Sequence, residues 1–342
     1  MSLPSLILAS IPIALWLLTE REQNGSGKGS GGSGGSGGGG TTTTPIGWPP
    51  PYPVPSPPMP YNTYGREMPF IASLPQGKAS QLEKRDHMIL TEVKKRLADG
   101  TLELPMSSVV ITAGDWTATI PVLADALKLD GVRVTTDFET AQLIADVLGL
   151  YQLTPKVSDA INEQAMFRIE PTTRSWNYVP DPVTGEITGA YTQRMIDHSV
   201  AVDQKWEEAN AAGTSIPASW GGGWNALLVN NPGKIWTNTI RNWEKLDPKT
   251  PPYGANHGWY RPGGLPPIQT NDLAHDVAHV DYSQILRFMG PAIYVTPKGD
   301  PNAPAMEIPM AEALTSSTWA PLVSDEGPLP LPRHPRIPPL TA

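Results

Sequence analysis

The sequence predicts an α+β fold: a single globular domain on a flexible tether, with helices in its first half and short strands and long loops in its second half. Two observations support this class. Apolar residues recur at helical spacing, between recognisable start and stop signals, from residue 81 to residue 209, and the helical signal then disappears. The chain also contains 39 prolines and 32 glycines among 342 residues, so long stretches of it are neither helix nor sheet.

Helix boundaries are the clearest local signals. Gly100 and Gly149 each follow an amphipathic run and favour a helix end. The capping box Thr136–Glu139 and the pair Thr154-Pro155 favour helix starts. These signals predict four helices, over residues 81–98, 136–148, 156–166 and 193–209.

The strand signals are shorter runs of apolar residues between glycines and prolines. Two of these runs flank the turn Ala113-Gly114-Asp115, so they predict a hairpin. The predicted strands are residues 109–112, 116–122, 132–135, 227–230, 234–240 and 282–289.

Composition changes divide the chain into four predicted parts. Residues 1–22 contain an uncharged apolar run and form a hydrophobic anchor, and residues 23–79 are a linker that is Gly/Ser-rich and then Pro-rich. Residues 80–326 form the globular α+β domain, and residues 327–342 form a Pro-rich extended tail. A flexible piece followed by a stiffer polyproline piece is typical of a tether.

The apolar run of residues 3–18 has three interpretations that the sequence leaves open. As a helix it spans about 24 Å, which is short of a hydrocarbon core of about 30 Å, and Pro12 lies within it. No lysine or arginine precedes it, unlike in an ordinary signal peptide. It is a membrane anchor or uncleaved signal, a cleaved signal, or a plug that docks in a multi-subunit particle. We therefore expect a membrane-anchored extracytoplasmic protein, or alternatively a virion component.

Composition also excludes several kinds of chemistry. The chain has no cysteine, so it contains no disulfide, no thiolate metal site and no cysteine nucleophile. Its formal net charge is −8, without a basic stripe, which argues against nucleic acid as a partner.

Candidate chemistry lies between residues 256 and 287. His275, His279 and Asp281 fall within seven residues, and a helix would place the two histidines on one face, a spacing that binds zinc. A metal-free alternative sets Asp281 and Ser283 against His257 or His275 for acyl transfer, although no nucleophile elbow surrounds Ser283. A third interpretation is structural: these are loop residues whose polar groups form hydrogen bonds with the loop backbone. The cofactor is therefore unknown, with zinc as the candidate metal.

His198 and the aromatic residues extend this candidate site. His198 shares the buried face of its predicted helix, where it is either a core histidine or part of a cleft wall. Tryptophans among glycines and amides favour a carbohydrate surface over a phosphate backbone, although each one also suits a core position. The expected substrate-binding residues are Trp220, Trp224, Trp259, Tyr260, Gln269 and Tyr282.

Several short motifs carry a resemblance: Ala145-Asp146 with Gly149, Leu153–Ile161, Gly258-Trp259-Tyr260, Pro267-Ile268-Gln269 and Asp281-Tyr282-Ser283-Gln284. They resemble a group of uncharacterised bacterial proteins with the motifs ADxxG…LPTPKxxDxI and GW…PIQ…DYS, over about residues 113 to 289. The resemblance implies that this region is one domain, and that His275 and Asp281 occupy motif positions. The group has an aromatic residue at the position of His279, which argues against a two-histidine metal site. The group has no assigned activity.

Taken together, these features favour a tethered cell-envelope protein that hydrolyses peptidoglycan or a related glycopeptide. In this hypothesis Asp281 is the general base or a metal ligand, His275 is its partner, and His198 and His257 support them. The alternative is a non-enzymatic structural or attachment protein, such as a phage particle component, that binds a surface through aromatic loops. Convergence of these polar residues in one hollow would favour the enzyme, and their separation would favour attachment.

Overall fold

A computed structural model describes residues 68–75, 81–171, 191–211, 228–243, 252–261, 264–300 and 302–339. All of them belong to one compact unit of helices and sheets, which confirms the predicted α+β class. The predicted anchor and most of the predicted linker lie outside the described residues. Within these ranges, no helix has the length and hydropathy needed to cross a membrane.

The helices follow the sequence signals closely. They are α1 Pro69–Ser73, α2 Leu82–Ala98, α3 Phe138–Leu148, α4 Pro155–Gln164, α5 Tyr191–Ala211, α6 Met310–Thr315 and α7 Ala320–Val323. The four predicted helices are confirmed as α2 to α5. The expectation that helices end with the first half is wrong, because α6 and α7 occur near the C-terminus. These two helices are too short to show a helical period in the sequence.

Helices α3 and α4 each begin with a side-chain N-cap. Thr154 caps α4 as predicted, since its hydroxyl accepts from the backbone N–H of Val157. The N-cap of α3 is Asp137 rather than Thr136, and its carboxylate accepts from the N–H of Thr140 at 2.6 Å. The helix therefore starts one residue later than the capping box predicts.

The strands, in chain order, are β1 Met106–Ala113, β2 Trp116–Leu123, β3 Lys128–Leu129, β4 Val132–Arg133, β5 Tyr151–Gln152, β6 Lys234–Thr237, β7 Tyr253–Gly258, β8 Gln269–Asp276, β9 Gln284–Ile285, β10 Phe288–Met289, β11 Ala292–Pro297 and β12 Met306–Pro309. A six-stranded sheet has the order β12-β11-β2-β10-β5, with β1 also paired to β2. A four-stranded sheet has the order β8-β7-β6-β9, and β3 pairs with β4. The predicted hairpin is confirmed, with Ala113 opposite Trp116.

Strand β7 has no strand-like sequence and was not predicted. Its sequence, Tyr-Gly-Ala-Asn-His-Gly, is poor in β-branched residues, yet it lies between β6 and β8. Packing requires glycine at position 254 of this strand, because a Cβ atom there would lie 2.3 Å from the Phe138 ring. Tertiary packing, rather than local propensity, makes this segment a strand.

Two large hydrophobic clusters and a smaller third one, around Phe167 and Trp206, form the core. The first joins α2 and α3 to residues such as Trp236 and Phe288, and the second joins the larger sheet to α4, α6 and α7. The C-terminal segment packs on this body, with Leu329, His334 and Ile337 buried. Residues 327–339 contain neither helix nor strand and include several bends and a turn.

A buried group of charges holds α5 against β4. The guanidinium of Arg133 bonds to Asp125 and Asp203, each at 2.7 Å, and the Lys128 ammonium lies 2.9 Å from Asp125. Burial acts to raise the pKa of Asp125, but Arg133 and Lys128 outweigh it and hold that pKa below its ordinary value. Removal of one partner would leave an uncompensated buried charge.

His334 gives the fold a dependence on pH. Its Nε2–H donates to the Tyr253 carbonyl at 3.1 Å, and its Nδ1 accepts from the N–H of Arg336 at 3.2 Å, so the ring is held neutral. Burial, with Arg336 and Arg333 nearby, lowers the pKa of His334 to about 4. The unfolded chain takes up this proton below its ordinary pKa of about 6.5.

The native state therefore loses stability as the pH falls from about 6.5 to 4, and we expect this histidine to contribute about 2–3 kcal/mol of that loss. The measurement is urea unfolding at pH 7 and pH 4 for the wild type, for His334→Gln and for a control, His87→Gln, whose histidine is exposed. His334→Gln should show a smaller acid loss than the other two proteins. Equal losses in all three would contradict the assignment.

Candidate functional site

The most distinctive polar group in the structure joins α4 to the end of β7. His257 Nε2 lies 2.8 Å from Asp159 Oδ1, and the Tyr260 hydroxyl donates to the same oxygen at 2.8 Å. His257 and Tyr260 are buried, whereas the Asp159 side chain is 30% exposed. No residue that the structure describes bonds to Asp159 Oδ2. Two buried donors thus hold a carboxylate that solvent can reach.

A layer of buried hydrogen bonds lies behind this carboxylate. Ser158 Oγ is 2.8 Å from Tyr260 Oη, and Asn231 Nδ2 donates to Ser158 Oγ at 2.8 Å. The guanidinium of Arg287 donates to Asn231 Oδ1 at 2.9 Å. It also donates to three backbone carbonyls, those of Leu123, Ala124 and Val229. Burial, with the Asp159 charge beside it, raises the pKa of Tyr260 well above its ordinary value.

The backbone between His257 and Tyr260 is unusual. Gly258 has φ 126° and Trp259 has φ 60°, a left-handed conformation that costs a non-glycine residue about 1–3 kcal/mol. The Trp259 ring is half-buried, with its centroid 6.0 Å from Lys234 Nζ. Backbone strain of this kind clusters at ligand sites, and here it lies between two residues that bond to one carboxylate.

Three polar atoms around this turn are buried without a hydrogen-bond partner in the described part of the chain. They are His257 Nδ1, Trp259 Nε1 and Asn162 Nδ2. Asn162 lies one turn after Asp159 on α4, so the two side chains share a helix face. Buried polar groups are usually satisfied, and a local concentration of unsatisfied ones calls for an explanation such as water or a ligand.

Asp281 and Ser283 belong to a separate group. Asp281 Oδ2 lies 2.6 Å from the Lys234 ammonium, and Asp281 Oδ1 accepts from the N–H and the hydroxyl of Ser283, both at 3.1 Å. Lys234, Asp281 and Ser283 are all buried. Both oxygens of Asp281 are therefore used within the fold, and the Ser283 hydroxyl donates to Asp281 rather than to a histidine.

The predicted zinc residues do not form a cluster. Residues 275–279 are not a helix, because β8 ends at Asp276 and a turn follows. The rings of His275 and His279 are stacked, with 3.8 Å between their centroids and an interplanar angle of 6°. In the ranges that the structure covers, no three histidine, aspartate or glutamate side chains are grouped so as to hold a metal ion.

The remaining predicted residues have separate positions. His198 is buried on α5, with its ring 5.5 Å from the buried Tyr282. Gln269 begins β8 opposite Gly258. Trp220 and Trp224 lie outside the described residues. The structure thus brings His257 together with Tyr260, Asp281 with Ser283, His198 with Tyr282 and His275 with His279, in four separate contacts.

Sequence reasoning did not find Asp159, Ser158, Asn231, Lys234 or Arg287. Asp159 lies within a segment that carries the expected resemblance, but that resemblance assigns no role to it. Asp159 and His257 are 98 residues apart, so no local spacing indicates their contact. In comparisons with known proteins, no family model, no curated protein and no solved structure matches this chain.

The Lys234–Asp281 pair provides a test of whether Asp281 is structural. We expect Lys234→Met to lower the free energy of unfolding by about 3–5 kcal/mol, because it leaves a buried carboxylate without its cation. The double variant Lys234→Met/Asp281→Asn should recover at least half of that loss, since asparagine keeps the acceptor for Ser283. Urea unfolding measures both. A Lys234→Met protein as stable as the wild type would show that the pair does not support the fold.

Proposed function

We propose that this protein is a tethered cell-envelope protein that binds a glycan or glycopeptide at Asp159. The observation that carries this proposal is the Asp159 carboxylate, which is partly exposed and held through one oxygen by the buried His257 and Tyr260. Its other oxygen is an acceptor for a ligand hydroxyl. A few fixed polar groups together with aromatic side chains are the usual composition of a small-ligand site.

Trp259 supports the same ligand class. Trp259 is half-buried, and its backbone is strained. It lies in sequence between His257 and Tyr260, the two residues that bond to the Asp159 carboxylate. A flat apolar face packs well against the C–H groups of a sugar ring, while the carboxylate and nearby amides meet its hydroxyl groups. The net charge of −8 opposes a polyanionic ligand.

The cellular setting in this proposal rests on the N-terminal sequence. A hydrophobic segment at residues 3–18, followed by Gly/Ser-rich and Pro-rich segments, would let the domain reach a wall polymer while the chain stays attached. If residues 3–18 dock in a multi-subunit particle instead, the same site would attach that particle to a surface glycan. Both oxygens of Asp281, the expected catalytic carboxylate, are engaged with Lys234 and Ser283, which favours binding over the catalytic arrangement expected from the sequence.

Hydrolysis of peptidoglycan or a related glycopeptide is a second candidate function, which the His257–Asp159 contact supports. A carboxylate held in one orientation by histidine and tyrosine is suited to take a proton from an attacking water. Asp159 replaces Asp281 as the proposed base, because both oxygens of Asp281 are engaged with Lys234 and Ser283. His275 has no part in this version.

Binding of the full-length chain to insoluble peptidoglycan, and to soluble N-acetylglucosamine oligomers by calorimetry, tests the proposal. We expect Asp159→Asn to weaken binding at least tenfold, about 1.4 kcal/mol, because it removes a charged acceptor. Trp259→Asn should weaken binding comparably, because it removes the aromatic ring. Asparagine is chosen because it tolerates the left-handed backbone. Glu163→Gln is the matched control, an exposed carboxylate on the same helix.

The outcomes separate the candidates. Absence of binding to every glycan tested, or equal binding by the wild type and Asp159→Asn, would overturn the proposed site. Release of soluble fragments from peptidoglycan by the wild type, but not by Asp159→Asn, would establish hydrolysis in place of binding alone.

A further inference from the structure

We infer that Tyr260, Ser158 and Asn231 are positioning residues for the Asp159 site. They form a hydrogen-bond chain that runs in one direction from the buried Arg287 to one oxygen of Asp159. The chain leaves the other oxygen as an acceptor for a hydrogen-bond donor on the ligand. This inference rests on the proposed binding function.

The direction of the chain follows from which groups can donate. Arg287 only donates, so it fixes the oxygen of the Asn231 amide toward itself. The amide nitrogen of Asn231 must then donate to Ser158 Oγ, as the geometry shows. The Ser158 hydroxyl hydrogen is thereby free to point toward Tyr260.

The other end of the chain fixes the same direction. An ionised carboxylate only accepts, so the single hydroxyl hydrogen of Tyr260 is given to Asp159 Oδ1. Tyr260 Oη can therefore only accept from Ser158, at 2.8 Å. Every link points from the cation to the carboxylate, and each donor polarises the next in the low dielectric of the interior.

The chain also determines what Asp159 presents to a ligand. His257 must donate its Nε2–H to Asp159 Oδ1, so this oxygen receives two hydrogen bonds from protein groups. Oδ2 is the oxygen to which no described residue donates a hydrogen bond. The ligand group that meets it must carry an O–H or N–H, such as a sugar hydroxyl, and not an acceptor such as a carboxylate or phosphate.

Two measurements on Ser158→Ala test the inference. The ¹³Cζ resonance of Tyr260, in protein labelled at that carbon of tyrosine, reports whether the phenol oxygen accepts a hydrogen bond. The affinity for the N-acetylglucosamine oligomer or peptidoglycan fragment that binds the wild type reports the effect on the site. We expect the resonance to shift and the affinity to fall about three- to tenfold, although Ser158 does not touch the ligand.

The control is Ser199→Ala, which removes another buried serine hydroxyl, one bonded to Arg133. It should move neither the Tyr260 resonance nor the affinity. Tyr260→Phe removes the next link and should weaken binding at least as much as Ser158→Ala. An unmoved resonance in Ser158→Ala, or wild-type affinity in Tyr260→Phe, would overturn the inference. If the wild type binds no glycan, the proposed function fails, while the resonance still tests the Ser158–Tyr260 hydrogen bond.

Discussion

The buried guanidinium of Arg287 joins the core of the protein to the candidate site. Arg287 is 1% exposed, and its N–H groups reach the carbonyls at the end of β2 and the carbonyl of Val229. A buried cation is tolerated only when its donors are satisfied, so these segments are fixed relative to one another. A further donor bond of Arg287, to Asn231, extends this hydrogen-bonded group through Ser158 and Tyr260 to Asp159. Packing and the candidate site therefore share one set of contacts.

Buried charges elsewhere explain why the most suggestive sequence motif is structural. Charged residues make up only 17% of the chain, yet Arg133, Asp125 and Asp203 are buried together, as are Lys234 and Asp281. The residue types that suit catalysis, a carboxylate with a serine and a lysine, also suit an internal ion pair. Burial distinguishes the two cases: Asp281 is enclosed, whereas Asp159 retains contact with solvent.

The elements that were predicted from the sequence are those whose conformation is set by residues close by in the chain. The four helices and the β1–β2 hairpin carry caps, glycine stops or a turn, and these signals act within a few residues. Strand β7 was missed because its neighbours in the sheet, and Phe138 against Gly254, determine its conformation. His257 and Tyr260 were predicted as site residues from the local sequence, but Asp159 was not, because only a tertiary contact links it to them. Its contact with His257 spans 98 residues, and no spacing rule extends that far.

Neutron diffraction from crystals exchanged into D₂O tests directly whether the hydrogen-bond chain runs toward an ionised Asp159, because it locates the hydrogen atoms of the Ser158, Tyr260 and Asp159 groups. We expect deuterium on Ser158 Oγ directed at Tyr260 Oη, deuterium on Tyr260 Oη directed at Asp159 Oδ1, and none on Asp159. A deuterium atom on Asp159, or a Tyr260 hydroxyl that donates to Ser158, would contradict this expectation. Either result would mean that the carboxylate is not held in the form the site requires.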